Sequence, residues 1–209
     1  MAGARVSLVT ERAAAGLSQT STPQGLVAVC PVLGVPAGSA LRGARLAAVL
    51  VGVGEPGNAG TVVRVADAAG AGAVLFAGQT VDPHNGKCVR ASAGSLFHLP
   101  IAVEPDPRHA VHACREAGLR VLAADGATGH DLDGAADDGT LEAPTAWLFG
   151  SEAHGLPREL LAAADGAVAV PLHGRAESLN LAAAAAVCLY ASARAHRRRS
   201  AAPSPGAIT

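Results

Sequence analysis

The hydrophobic pattern of the chain changes character near residue 25. Residues 1–24 are polar and alanine-rich and end in Ser-Gln-Thr-Ser-Thr-Pro, which predicts a short helix and then a linker. From residue 25 short apolar runs alternate with segments of helical period. Residues 26–30 read as a strand. Residues 46–53 (LAAVLVGV) are apolar without interruption, as in a strand covered on both faces. Residues 58–69 carry an apolar stripe at Val62, Val65, Ala66 and Ala69, which predicts a helix with Asn58 as its N-cap and Gly70 as its terminator. Further strands are predicted at 73–76, 101–103, 119–123, 146–149 and 168–170. Helices are predicted at 108–117, at 157–164 behind Pro157, and at 178–194 with Ser178 as N-cap. Alternating strands and helices give an α/β class, with a mostly parallel sheet and helices on both faces. The domain is placed at residues 25–195. Residues 196–209 are read as a flexible tail that frays after Arg194 and holds Arg197, Arg198 and Arg199.

Composition narrows the class. With 209 residues the chain has room for one full domain, taking about 150 residues per domain. Sixteen Lys and Arg against seventeen Asp and Glu give a net charge of -1, which excludes a strongly basic nucleic-acid binder. Half the residues are apolar but only 2% are aromatic, so the core is built from Ala, Val and Leu. No apolar run reaches the roughly 18 residues of a membrane span. Glu11 and Arg12 fall where a signal peptide needs an apolar centre, so a soluble, cytoplasmic protein is expected. Cys30, Cys88, Cys114 and Cys188 are far apart and form no CxxC, so neither zinc nor a disulfide framework is expected. They read as small buried apolar residues.

Four segments carry candidate chemistry. Gly52-Val-Gly54-Glu-Pro-Gly57 matches GxGxxG between a strand and a helix, the context of a dinucleotide site. Such a site also needs an acidic residue closing the next strand, and that strand is followed by Ala77, Gly78 and Gln79. An NAD-dependent oxidoreductase is therefore disfavoured, and the glycines read as a tight turn. Asn58-Ala-Gly60-Thr-Val-Val-Arg64 places an arginine among valines, either as a functional group or as a snorkelling surface residue. Leu148-Phe149-Gly150-Ser151-Glu152-Ala-His154-Gly155-Leu156 puts one carboxylate in a glycine turn at a strand end. Open α/β sheets bind ligands at such ends, although Glu152 could equally serve the next helix. Val170-Pro171-Leu172-His173-Gly174-Arg-Ala-Glu177-Ser178-Leu179-Asn180-Leu181 leads into a helix N-terminus. Its exposed amides suit an anion, or are merely capped by Ser178. Asn180 is harder to dismiss, being a mediocre helix former in a Leu/Ala run.

Taken in order, NxGxxxR, FGSExxGL and VPLxGxxxSLN before an alanine-rich helix resemble the three motifs of the SpoU/TrmH family. These are RNA ribose 2′-O-methyltransferases of the SPOUT class. Lys87-Cys-Val-Arg90-Ala-Ser92-Ala-Gly94 resembles the family's stretch between the first two motifs. The likeness spans about residues 22–195.

The resemblance implies a C-terminal deep trefoil knot, a homodimer with a shared active site, and S-adenosylmethionine bound in the knot largely by backbone groups. The cofactor contacts would fall at Gly150, Val170, Leu172, Leu179 and Asn180, with residues 124–128 as a further wall. The catalytic set would be Arg64, Asn58, Glu152, Ser178 and Asn180. Arg64 is a poor base because a guanidinium keeps its proton to above about pH 12. It is expected to align the ribose 2′-hydroxyl and adjacent phosphate, and to take the proton if desolvated. Asn58 would position Arg64 or the substrate, Glu152 would orient the site, and Ser178 and Asn180 would bridge cofactor and substrate. Arg90, with Arg64, is the candidate RNA contact, and the arginine run at 197–199 is another. The RNA is expected to be rRNA or tRNA. Many family members carry an N-terminal RNA-recognition domain, and residues 1–24 resemble its joint to the catalytic part. A knotted RNA-binding factor without turnover remains the alternative.

Overall fold

The computed structural model describes residues 5–18, 20, 24–128 and 130–201. The expected tail at 202–209 lies outside them. The chain divides into two compact units, Met1–Val32 and Leu33–Thr209.

Among the described residues the first unit holds one helix, α1 (Glu11–Leu17), started by the Thr10 hydroxyl, which accepts from the Ala13 amide. The strand expected at 26–30 does not form. Leu26 and Val29 are exposed, and the backbone groups of this segment enter no ladder among the described residues. Apolar composition alone does not make a strand when the ladder partner is missing. Cys30 is exposed here, unlike the other three cysteines, which are buried as expected.

The second unit is built on six parallel strands: β1 (Leu46–Val51), β2 (Ala73–Ala77), β3 (Ile101–Glu104), β4 (Arg120–Ala124), β5 (Thr145–Phe149) and β6 (Gly166–Val168). Their order is β3-β2-β1-β5-β4-β6. The helices are α2 (Ala37–Ala40), α3 (Pro56–Ala69), α4 (Gly86–Ala91), α5 (Pro107–Glu116), α6 (Leu132–Asp137), α7 (Arg158–Ala163) and α8 (Leu181–Ala201). β1 shows why its run is apolar throughout. Leu46, Ala48 and Leu50 face one core with Val62 and Val63 of α3 and Ala185 and Leu189 of α8. Ala47, Val49 and Val51 face the other, with Ala110 of α5 and Leu160 of α7. Alternate residues thus serve opposite layers. The strand order reverses beside β1, whose neighbours are β2 and β5. A crevice is expected at the carboxyl ends of the strands at such a switch point.

Several predicted boundaries move, each for a visible reason. The cap of α3 is Glu55, not Asn58. Pro56 takes the first helical position, and the Glu55 carboxylate accepts from the Asn58 amide at 2.5 Å. Gly70 ends α3 at φ +80°, as predicted. The cap of α8 is Asn180, not Ser178. Its Oδ1 accepts from the amides of Ala182 at 2.9 Å and Ala183 at 3.4 Å. The last strand ends at Val168, so Val170 lies in the loop beyond it. α8 does not fray at Arg194 but continues to Ala201 and takes in the arginine run. The helices α2, α4 and α6 are too short to show a period in the sequence.

Candidate active site

The three motif segments leave the carboxyl ends of β1, β5 and β6 and meet above the sheet. After β5 the chain makes a tight loop. A Cβ on Gly150 would lie 2.2 Å from the Gly155 carbonyl carbon and 2.5 Å from the Leu156 nitrogen. Only glycine lets the loop close on itself there. Gly155, at φ +65°, turns the chain, and its amide donates to the Ser151 carbonyl at 2.8 Å. The loop holds Glu152 out toward α3.

Asn58, Glu152 and Asn180 form one hydrogen-bonded junction. The Asn58 Nδ2 donates to Glu152 Oε1. The Asn180 Nδ2 donates to Asn58 Oδ1 at 3.1 Å. Asn180 Oδ1 then accepts from the first turn of α8. The polarity of this chain is fixed end to end. An ionised carboxylate only accepts, so the Asn58 amide must turn its nitrogen to Glu152. Its oxygen then faces the nitrogen of Asn180, and the oxygen of Asn180 faces the helix amides. Three segments, 94 and 122 residues apart from Asn58, are locked in one orientation.

Two adjoining recesses open beside the junction, of about 400 and 430 Å³, and share walls at Ala124, Asp125, Gly126, Ser178, Leu179 and Ala184. Val170 and Leu172 line one; Gly150, Glu152 and Asn180 line the other. The walls at 124–126 lie within the predicted stretch 124–128. Beyond β6, the peptide N–H groups of Val170 and Leu172 make no hydrogen bond among the described residues. Apolar walls with free backbone donors fit a nucleoside, with no charged anchor required. Pro171 and Glu177 also line the first recess, and Ser151 and Leu156 the second. The sequence singles out none of these four as site residues, although all lie inside the motifs.

Arg64 and Arg90 stand apart. Both are exposed, neither lines a recess, and neither makes an ion pair or side-chain hydrogen bond among the described residues. They sit on α3 and α4, which pack tightly at Gly60. A Cβ on Gly60 would fall 2.3 Å from the Cys88 carbonyl oxygen. That approach explains the glycine of NxGxxxR.

The GxGxxG turn does not present open amides to a pyrophosphate. Glu55 folds its carboxylate over the first turn of α3, and Lys87 Nζ holds the other oxygen at 2.5 Å. The Lys87 ammonium, then the Asn58 amide, keep the Glu55 carboxyl below its ordinary pKa. Neither Glu55 nor Lys87 is a candidate from sequence. Among the described residues no group of three His, Cys, Asp or Glu side chains could hold a metal ion. No described helix is long and apolar enough to cross a membrane.

Residues 45–190 match the SpoU rRNA Methylase family. A Bacillus subtilis protein named 23S rRNA (guanosine(2553)-2′-O)-methyltransferase RlmP is 34% identical over 190 residues, 90% of this chain and 72% of that protein. A Streptomyces viridochromogenes 23S rRNA (uridine(2479)-2′-O)-methyltransferase is 39% identical over 145 residues, 67% of this chain and 49% of its own length. A crystal structure of an AdoMet-bound rRNA methyltransferase from Sinorhizobium meliloti superposes with a TM-score of 0.78 at 32% identity, covering 93% of this chain and 71% of that one. The chain belongs to the SpoU rRNA Methylase family.

Proposed function

We propose that the protein transfers a methyl group from S-adenosylmethionine to a ribose 2′-hydroxyl, with rRNA as its substrate. The observation that carries this reading is the Glu152–Asn58–Asn180 junction beside recesses walled by free backbone groups. The names of the Bacillus and Streptomyces relatives support rRNA over tRNA. The Sinorhizobium structure, solved with AdoMet, supports the cofactor.

The recess residues fit that cofactor. Val170 and Leu172 would offer backbone groups to its base, and Gly150, Leu179 and Asn180 would form the wall toward the reacting end. When bound, S-adenosylmethionine supplies a methyl group on a sulfonium sulfur. The protein's task is to bring up a weak nucleophile and dispose of its proton. Arg64 aligns the 2′-hydroxyl and the adjacent phosphate as a guanidinium cation, and takes the proton only where desolvation has first removed one of its own. Asn58 and Glu152 hold the floor of the site, while Ser178 and Asn180 stand between cofactor and ribose. Arg90 contacts RNA phosphate.

Arg64 lies outside the recess walls of its own chain, which supports a site completed by a second copy. The exposed Val187 and Tyr190 on α8 offer an apolar stripe for that homodimer. The C-terminal segment is read as threaded in a trefoil knot. Residues 124–126 and 150–156 flanking 178–181 support this. The catalytic domain is assigned to residues 25–195, and a cytoplasmic location follows from action on rRNA.

The test is transfer of labelled methyl from S-adenosylmethionine to unmodified rRNA and tRNA, followed by digestion to nucleosides. A 2′-O-methylated nucleoside from the rRNA pool is expected. S-adenosylhomocysteine binding with no transfer to either pool would favour an RNA-binding factor without turnover.

A further inference from the structure

The GxGxxG turn supplies no dinucleotide site, yet its glycines, its acid and a distant lysine are arranged around one residue of the reaction site. Glu55 is the pivot. Its Oε2 takes the backbone amide of Asn58, and its Oε1 takes the ammonium of Lys87, 32 residues further along the chain on α4. The Asn58 side chain is the link between Glu152 and Asn180. Whatever fixes the first turn of α3 therefore fixes the amide that joins all three motifs.

Gly57 shows that this arrangement needs room. A Cβ there would lie 2.8 Å from Glu55 Oε2 and 3.2 Å from Oε1. An alanine at 57 would push the carboxylate off the turn while leaving the backbone unstrained, because the position is helical. At Gly54, by contrast, an added Cβ would meet nothing within 4 Å.

We infer that Glu55 and Lys87 are positioning residues for methyl transfer: the lysine pins the carboxylate, and the carboxylate sets Asn58 against Glu152 and Asn180. Both act through Asn58 and touch no part of the recess walls. Lys87 also lies on the helix that carries Arg90, so the pair ties the candidate phosphate contact to the site. The inference rests on the proposed methyl transfer, and its test separates the two.

Two readouts decide it. The first is kinetic. Gly57→Ala and Glu55→Gln should lower kcat for rRNA methylation about 10- to 100-fold, the scale of an ångström of misplacement. The KM for S-adenosylmethionine should stay within about twofold, because the recess is untouched. Gly57→Ala should melt close to the wild type, since the better helix propensity of alanine offsets the displaced Glu55 cap. A purely structural role for Glu55 would instead lower stability and activity together. Lys87→Met should lower kcat in the same direction by less. Gly54→Ala should leave kcat unchanged.

The second readout needs no turnover. The chain has three asparagines, Asn58, Asn85 and Asn180. Protein labelled with ¹⁵N-asparagine thus gives three pairs of side-chain amide signals, one pair for each residue. Wild-type Asn58 and Asn180 should exchange their amide protons slowly, and Gly57→Ala should speed both while sparing Asn85. Wild-type kcat in Gly57→Ala and Glu55→Gln, or unchanged exchange at Asn58 and Asn180, overturns the inference. If the wild type methylates no RNA, the proposed function fails, and the exchange measurement alone then decides the positioning.

Discussion

At the scale of single residues, an amide rather than an acid has to stand at position 58. Its nitrogen must donate to Glu152 while its oxygen accepts from Asn180. A carboxylate of the same shape would face Glu152 with like charge and no proton. Arg64 is different in kind, because nothing among the described residues of its own chain holds it. Replacing it should therefore leave the fold intact. Arg64→Ala is expected to lower methyl transfer by about 10²- to 10⁴-fold, as loss of a group acting on the transferred proton does. Its melting temperature and its affinity for S-adenosylhomocysteine should match the wild type. Radiolabel transfer and calorimetric titration on the same preparation check this, and loss of both together would remove Arg64 from the catalytic role. Asn58, Glu152 and Asn180, which the structure joins, were legible in the sequence because each sits at a fixed offset within a short motif. Glu55 was not. The sequence places the cap at Asn58, so the carboxylate three residues earlier carries no signal beyond the glycine turn. Its second partner, Lys87, is 32 residues away, and only the packing of α4 on α3 brings it near.

At the scale of elements, the sequence pattern located the strands well where both faces are buried and poorly where a partner had to be supplied. β1, β2 and β5 are buried at every position, so uninterrupted apolar runs mark them. Residues 26–30 have the same composition and no ladder partner, and they form no strand. Caps were ambiguous for a related reason. Ser178 and Asn180 are both good caps on propensity, and the Ala182 and Ala183 amides donating to Asn180 Oδ1 place the helix start at the second. The loop after β5 offers the sharpest test of an element built by close approach. Gly150 faces backbone atoms of Gly155 and Leu156 at 2.2 to 2.5 Å from where its Cβ would stand, and neither can swing aside as a side chain could. Gly150→Ala should open the loop, lower stability by about 1–3 kcal/mol as overpacking does, and weaken S-adenosylhomocysteine binding at least tenfold. Denaturant unfolding and titration would measure the two effects. Unchanged cofactor affinity would place the cofactor away from this loop.

At the scale of the second unit, α8 couples the site to the amino end of β5. It begins at Asn180 beside the recesses, and its 21 residues extend about 31 Å. Polar contacts hold its distal half, among them an ion pair of Arg199 with Glu142 at 3.9 Å. Trp147 Nε1 donates to Ser192 Oγ at 2.9 Å in the buried core, and the His196 ring lies 2.8 Å from the Ala143 carbonyl oxygen. These contacts explain why the helix persists through a run of three arginines that local sequence reads as frayed. They also make the docking of α8 sensitive to pH. Burial, and then the nearby Arg45, push the His196 pKa below its ordinary value, against the opposing pull of the Ala143 carbonyl. The folded protein therefore binds this proton less readily than the unfolded chain. Its contribution to stability is complete above the unfolded value of about 6.5 and is lost as pH falls through the lowered folded value. The melting temperature of the wild type should accordingly decline as the pH is lowered from about 6.5 through the depressed folded value. His196→Gln keeps a neutral amide that can donate to the same carbonyl and removes the titration. Its melting temperature should be flatter across that window, with the two proteins converging as the pH is lowered. Parallel slopes for the two proteins would show that the other histidines, rather than the docking of α8, set the acid response.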